Sequence, residues 1–127
     1  MSEQSTEPKG ILITRLFPTP ADTNIYGAVF GGWMMSQMDI AGFFLARDYT
    51  KERLVTVAVN NVNFLAPIFV GDLVSIHGDV VKQGRSSIQV ALKAWVKREN
   101  IIESQCVAEG LVTYVAVNKS GETVPLR

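Results

Sequence analysis

Between Arg53 and Val117 the side chains switch character at every step, with a period of two sustained through four successive runs separated only by short turn-forming clusters. Leu54 to Phe64 is apolar on both faces, whereas Val74, Ile76 and Val80 stand opposite Ser75, His77 and Asp79. In the third run Ile88, Val90, Leu92, Ala94 and Val96 point one way, and Gln89, Ala91, Lys93, Trp95 and Lys97 point to a mostly wet side. Ser104 to Val117 forms the last run. Pro67 with Gly71-Asp72, Gln83 to Ser86, and Glu99-Asn100 interrupt the series at hairpin spacing, so the strands should be antiparallel. An earlier strand, Ile11 to Phe17, stops at Pro18 and Pro20. Against these five strands stands one helical stretch, Trp33 to Arg47, about 22 Å long at the standard rise. The fold class is therefore α+β, an antiparallel sheet packed on one helix. One helix covers one face of such a sheet and no more, so self-association, at least as a dimer, is expected.

With 127 residues and 47% apolar content, the chain suffices for one domain, placed at 11–118 between a polar N-terminal tail (1–10) and a C-terminal tail (119–127). Twelve basic and twelve acidic residues cancel without any basic run, which argues against nucleic acid as a partner. The lone cysteine, Cys106, excludes an internal disulfide, and with the lone histidine, His77, it cannot build a multi-ligand zinc site. No metal or other cofactor is expected. The first ten residues lack an apolar signal core, and the helical stretch is too short and too polar to cross a bilayer of about 30 Å. A soluble, cytoplasmic protein without membrane contact is the expectation.

The helical stretch holds an oddity. Asp39 lies within Gly31-Gly32-Trp33-Met34-Met35-Ser36-Gln37-Met38-Asp39-Ile40-Ala41-Gly42-Phe43-Phe44-Leu45-Ala46, a helix that reads as buried. An unpaired carboxylate in apolar surroundings costs several kcal/mol, so it needs a partner or a task. Gly32, Met35, Ser36, Asp39, Gly42, Phe43 and Ala46 share a face at helical spacing, which suggests an apolar-walled pocket holding one acid suited to general-base or nucleophilic work. The competing reading is a salt-bridged or loop-capping Asp39. No Gly-x-Ser-x-Gly, Gly-x-Gly-x-x-Gly or P-loop pattern occurs. His77 and Cys106 read as strand packing residues.

The segment Pro20-Ala21-Asp22-Thr23-Asn24-Ile25-Tyr26-Gly27, followed by Phe30-Gly31-Gly32-Trp33-Met34-Met35-Ser36-Gln37-Met38-Asp39, closely resembles the acyl-coenzyme A (acyl-CoA) thioesterases of the hotdog fold, most of all the bacterial YciA-like branch. Val55-Thr56-Val57, Asn63-Phe64-Leu65-Ala66-Pro67, Val70-Gly71-Asp72 and Tyr114-Val115-Ala116-Val117 extend the likeness from Pro20 to Val117. The resemblance implies a curved antiparallel sheet wrapped around one long central helix, active sites at a two-fold dimer interface, and hexamers built as trimers of dimers. It implies hydrolysis of acyl-CoA to free CoA and a carboxylic acid, a reaction of fatty acid metabolism. Asp39 then matches the general base or nucleophile, and Asn24 the loop asparagine that assists across the interface.

Thioester hydrolysis also needs a stabiliser for the developing oxyanion. Gly31 and Gly32, at the positive end of the helix, offer free N-H groups and no side chains, while the Asp39 side chain leans back toward them. The glycines would equally serve a tight loop, and Asn24 an Asx turn. For the nucleotide end of CoA the candidate is Gly84-Arg85-Ser86-Ser87, with help from Lys93, Lys97 or Arg98, although an ordinary charged hairpin has the same composition. Phe64 and Pro67 would wall an acyl channel made adaptable by Met35, Met38 and Phe43. The rival function is an acyl-CoA-binding sensor or scaffold without turnover.

Overall fold

A computed structural model describes residues 7–127. It contains strands β1 (Ile11–Leu16), β2 (Arg53–Phe64), β3 (Leu73–Gln83), β4 (Ser87–Lys97) and β5 (Gln105–Val117), with helix α1 (Gly31–Arg47) between β1 and β2. The alternating runs become strands because each presents one apolar row: Val74 and Ile76, Ile88 to Val96, and Val112 to Ala116 all turn inward. The sheet is antiparallel throughout, in the order β1-β3-β4-β5-β2.

This order departs from simple hairpin succession. β2 pairs with β5 and not with its sequence neighbour β3, so residues 65–72 carry the chain past the ends of β5 and β4 instead of making a tight turn. The crossover passes the start of α1, where Val29 N-H donates to the Ile68 carbonyl (2.8 Å) and Ala28 bridges Phe69. Period-two patterning marks strands but not their partners, and a connection of this length no longer dictates a hairpin.

Helix α1 lies on the sheet through Met34, Met38, Ala41, Gly42, Leu45 and Ala46, the stripe expected for a helix buried on one side. The face proposed from spacing is therefore split. Gly42 and Ala46 are buried against the sheet, Asp39 and Phe43 lie on the flank, and Gly32, Met35 and Ser36 are exposed. The helix that reads as buried is covered on one side only within the chain, since Ile40 and Phe44 also face outward. A five-stranded sheet can enclose only one side of a 17-residue rod.

The outer face of β4 is less wet than its pattern suggests. Trp95 is 4% exposed and walls a cavity of about 420 Å³ with His77, Lys93 and Glu109. A register shift between Ala94 and Trp95 disturbs the alternation there.

The segment expected as a C-terminal tail (119–127) lies back against the domain. Asn118 Oδ1 accepts from the N-H groups of Ser120 and Glu122, Val124 N-H donates to Ala116 and Leu126 N-H to Arg85, while Val124 and Leu126 pack on the core. Residues 1–6 of the expected N-terminal tail lie outside the described residues. Among the described residues no helix is long and apolar enough to cross a membrane.

Candidate active site

The loop before α1 is built by short-range hydrogen bonds. Asp22 closes a 3-10 turn (Pro20–Asp22) by accepting from the Thr19 N-H (2.7 Å) and hydroxyl (3.0 Å). Asn24 Oδ1 accepts from the N-H groups of Tyr26 (2.8 Å) and Ala28 (3.1 Å), and Gly27 supplies the φ of +87° that the turn needs. Phe30 N-H then donates to the Asp22 carbonyl (2.9 Å), fixing the residue that leads into the helix.

Phe30 is the N-cap of α1 and offers no side-chain acceptor, so the N-H groups of Gly31 and Gly32 begin the helix uncapped. Gly31 borders a cavity of about 440 Å³ lined also by Phe30, Met34, Phe64, Pro67 and Ile68. Gly31 lies close to the cavity wall, and a Cβ there would come within 3.0 Å of the Phe64 ring. Gly32 instead faces open space. Its glycine serves no packing within the chain.

Asp39 follows along the same helix, about 12 Å of rise beyond Gly31. It is half-buried, and its Oδ1 accepts from the Thr56 hydroxyl on β2 (2.8 Å). The Asp39 main-chain carbonyl accepts from the Tyr114 hydroxyl on β5 (2.5 Å). Burial, followed by the nearby Asp39 charge, pushes the Tyr114 hydroxyl well above its ordinary range, so it remains a donor. Among the described residues no cation pairs with Asp39 and no cluster of His, Cys, Asp or Glu could hold a metal ion. Among the described residues the salt-bridge explanation of this acid therefore finds no partner.

Of the residues singled out from sequence, Gly31, Phe64 and Pro67 meet at one cavity, and Gly32 follows Gly31 on the helix, facing open space. Asn24 lies in the loop feeding that helix end, its carboxamide oxygen engaged by its own turn; its Nδ2 makes no hydrogen bond among the described residues. Gly84, Arg85, Ser86 and Ser87 are elsewhere. Ser87 pairs with Val115 while Phe64 pairs with Ala108, so the β3-β4 turn is about 23 Å along β5 from the cavity of the same chain. There Gly84 N-H closes the turn on the Ser87 carbonyl, and Ser86 accepts from Ala116 N-H.

Arg98 is not a spare cation. It grips Asp72 through Nε (2.9 Å) and Nη2 (3.1 Å), and donates to Pro67 O (3.1 Å) and Gln105 Oε1 (3.0 Å). Asp72 also accepts from Phe69 N-H (2.9 Å), so this pair braces the crossover that walls the cavity. Lys93 lines the outer-face cavity and Lys97 is exposed. His77 is on the outer face, with Nδ1 3.4 Å from the Gly10 carbonyl. Burial pushes the Cys106 thiol up, which keeps it protonated and unsuited to nucleophilic attack.

Thr56 was missed as a site residue. Its sequence signal is slight: one hydroxyl inside Val55-Thr56-Val57, on a strand whose partner could not be named from pattern. Pairing β2 with β5 is what carries it to Asp39.

Comparison with known proteins agrees with this geometry. The thioesterase superfamily profile matches residues 26–103. An acyl-CoA thioester hydrolase of Haemophilus influenzae is 46% identical over 94% of this chain and 80% of its own length. The acyl-CoA thioester hydrolase YciA of Salmonella typhimurium is 43% identical, covering 99% of this chain and 97% of the relative. The crystal structure of a hexameric thioesterase from Yersinia pestis superposes with a TM-score of 0.90 at 41% identity, over 95% of this chain and 99% of that one. On the strength of this match and of the helix-on-sheet architecture that it shares, the chain belongs to the thioesterase superfamily, as a hotdog-fold member of its YciA-like acyl-CoA thioester hydrolases.

Proposed function

We propose that the protein hydrolyses acyl-CoA thioesters in the cytoplasm, and that it does so as a homo-oligomer whose sites are completed by two chains. The observation that carries the reading is Asp39: an acid with no cation partner among the described residues, oriented by Thr56, on the helix whose uncapped Gly31 end opens into an apolar cavity.

The thioester carbonyl oxygen is received by the Gly31 and Gly32 N-H groups, where negative charge develops as the carbon becomes tetrahedral. Asp39 either takes a proton from water as its oxygen attacks the carbonyl carbon, or attacks that carbon itself to give an anhydride that water opens. In both routes the C-S bond breaks, CoA leaves as thiolate and is protonated, and water supplies the replacing oxygen, either directly or by way of the Asp39 carboxylate. No cofactor is needed. Thr56 holds one carboxylate oxygen so that the other faces the substrate. Asn24 presents its unused Nδ2 to the attacking water or the carbonyl of a site shared with a neighbouring chain.

Sharing between chains is supported by surface chemistry. Ile25 and Tyr26, beside Asn24, are 90% and 85% exposed, and the edge strand β2 leaves Val55 and Val57 uncovered. A trimer of dimers would bury these groups and could bring Gly84, Arg85, Ser86 and Ser87 of one chain to the CoA nucleotide at another chain's cavity, with Phe64 and Pro67 walling the acyl end.

Purified protein given short, medium and long acyl-CoA esters should release free thiol, read with a thiol-reactive dye, and the same sample should sediment as six chains. Tight acyl-CoA binding without thiol release would instead identify a sensor or scaffold. Thr56→Val keeps shape but removes the hydroxyl, so kcat should fall about tenfold with KM within about twofold. An unchanged kcat would remove Thr56 from the site.

A further inference from the structure

We infer that Tyr114 is a positioning residue for Asp39, and that Gly42 exists to let it act. The inference rests on Asp39 being the catalytic acid. Thr56 and Tyr114 are cross-strand partners on β2 and β5, so their side chains project from the same place on the sheet toward α1. They take hold of one residue at two points: Thr56 bonds the Asp39 carboxylate at 2.8 Å and Tyr114 bonds the Asp39 carbonyl at 2.5 Å. The carboxylate and the backbone that carries it are thereby referenced to one strand pair.

The Tyr114 hydroxyl reaches that carbonyl only because position 42 has no side chain. A Cβ on Gly42 would lie 2.4 Å from Tyr114 Oη, 3.1 Å from Leu92 Cδ1 and 3.3 Å from Tyr114 Cε2. Tyr114 and Leu92 are both fully buried, and the Phe43 ring stands beside the tyrosine at a centroid distance of 6.3 Å, so neither Tyr114 nor Leu92 has room to step aside. Any Cβ at 42 must lift the helix or displace the tyrosine. Both move Asp39 relative to Thr56 and to the Gly31-Gly32 end of the helix.

A residue that sets the place of a catalytic group should alter turnover more than binding. Tyr114→Phe removes only the hydroxyl and should lower kcat about tenfold while KM stays within about twofold. Gly42→Ala, which adds the clash, should lower kcat on the order of 100-fold. The double variant Gly42→Ala/Tyr114→Phe, in which the nearest obstructing atom is gone, should be faster than Gly42→Ala alone. Packing without a positioning role would move thermal midpoints and leave kcat per folded protein intact. The inference is overturned if Tyr114→Phe retains kcat within twofold of the parent, or if the double variant is no faster than Gly42→Ala. Asp39→Asn is run alongside: if it turns over normally, the catalytic reading itself fails, whereas an inactive Asp39→Asn beside a fully active Tyr114→Phe removes only the positioning role.

Discussion

Asp39→Asn should lower kcat for acyl-CoA hydrolysis by on the order of 1,000- to 10,000-fold, the range lost when a positioned general base or nucleophile is removed. Asparagine keeps the size of the side chain and an Oδ1 that can still accept from Thr56, so the local hydrogen bond survives while the basic oxygen is lost. Asp39→Ala should be equally inactive. Because Asp39 has no ion-pair partner among the described residues, neither change strands a buried cation there, and thermal midpoints should stay within a few degrees of the parent. Thiol release from a medium-chain acyl-CoA, set against a melting curve of the same preparation, makes the check. Normal turnover in Asp39→Asn would transfer the chemistry to another group.

The largest stability loss should come from Asp72→Ala. The carboxylate is almost wholly buried and satisfies Arg98 at two points and the Phe69 N-H at a third, while Arg98 also holds the Pro67 carbonyl. Truncation leaves a guanidinium and an amide without their acceptor. Arg98 is about one-third exposed, so water compensates in part, and the cost lies between that of an exposed and a buried pair at about 2–3 kcal/mol. That corresponds to a fall of about 10 °C in the thermal midpoint for a domain of this size. Since the same brace shapes the Pro67 wall, kcat/KM should drop with it. Calorimetry on Asp72→Ala at matched protein concentration decides the matter: a midpoint within 2 °C of the parent would show that the crossover does not depend on this pair.

The resemblance seen in the sequence and the later comparisons lead to the same family, and elementary patterning had already supplied much of its architecture. Alternation marked every strand, and the sixteen-residue apolar stretch marked the one helix, because both signals are local: each reports which side of a short segment must leave water. That Gly31, Phe64 and Pro67 line one cavity has a similar origin, since a glycine opening a helix and an aromatic-proline strand end are short-range features. Thr56 and Tyr114 have no such local signal. Their value comes from standing opposite each other on strands almost sixty residues apart in the chain, and nothing in either local run encodes that pairing. Arg98 misled for the same reason: its charge is visible in sequence, its partner Asp72 is not.

What the sequence by itself determined is the set of elements, the inward rows of β3 and β4 and the chemical types available at the head of the helix, because burial preference acts residue by residue. What only the tertiary structure decided is the β1-β3-β4-β5-β2 order, the crossover that closes the cavity, and the flank position of Asp39 between Thr56 and Tyr114. These depend on which strands pair once the helix has to be covered, and that choice is made by the packing of the whole chain, in which a long-range contact must offset the entropy of closing its loop.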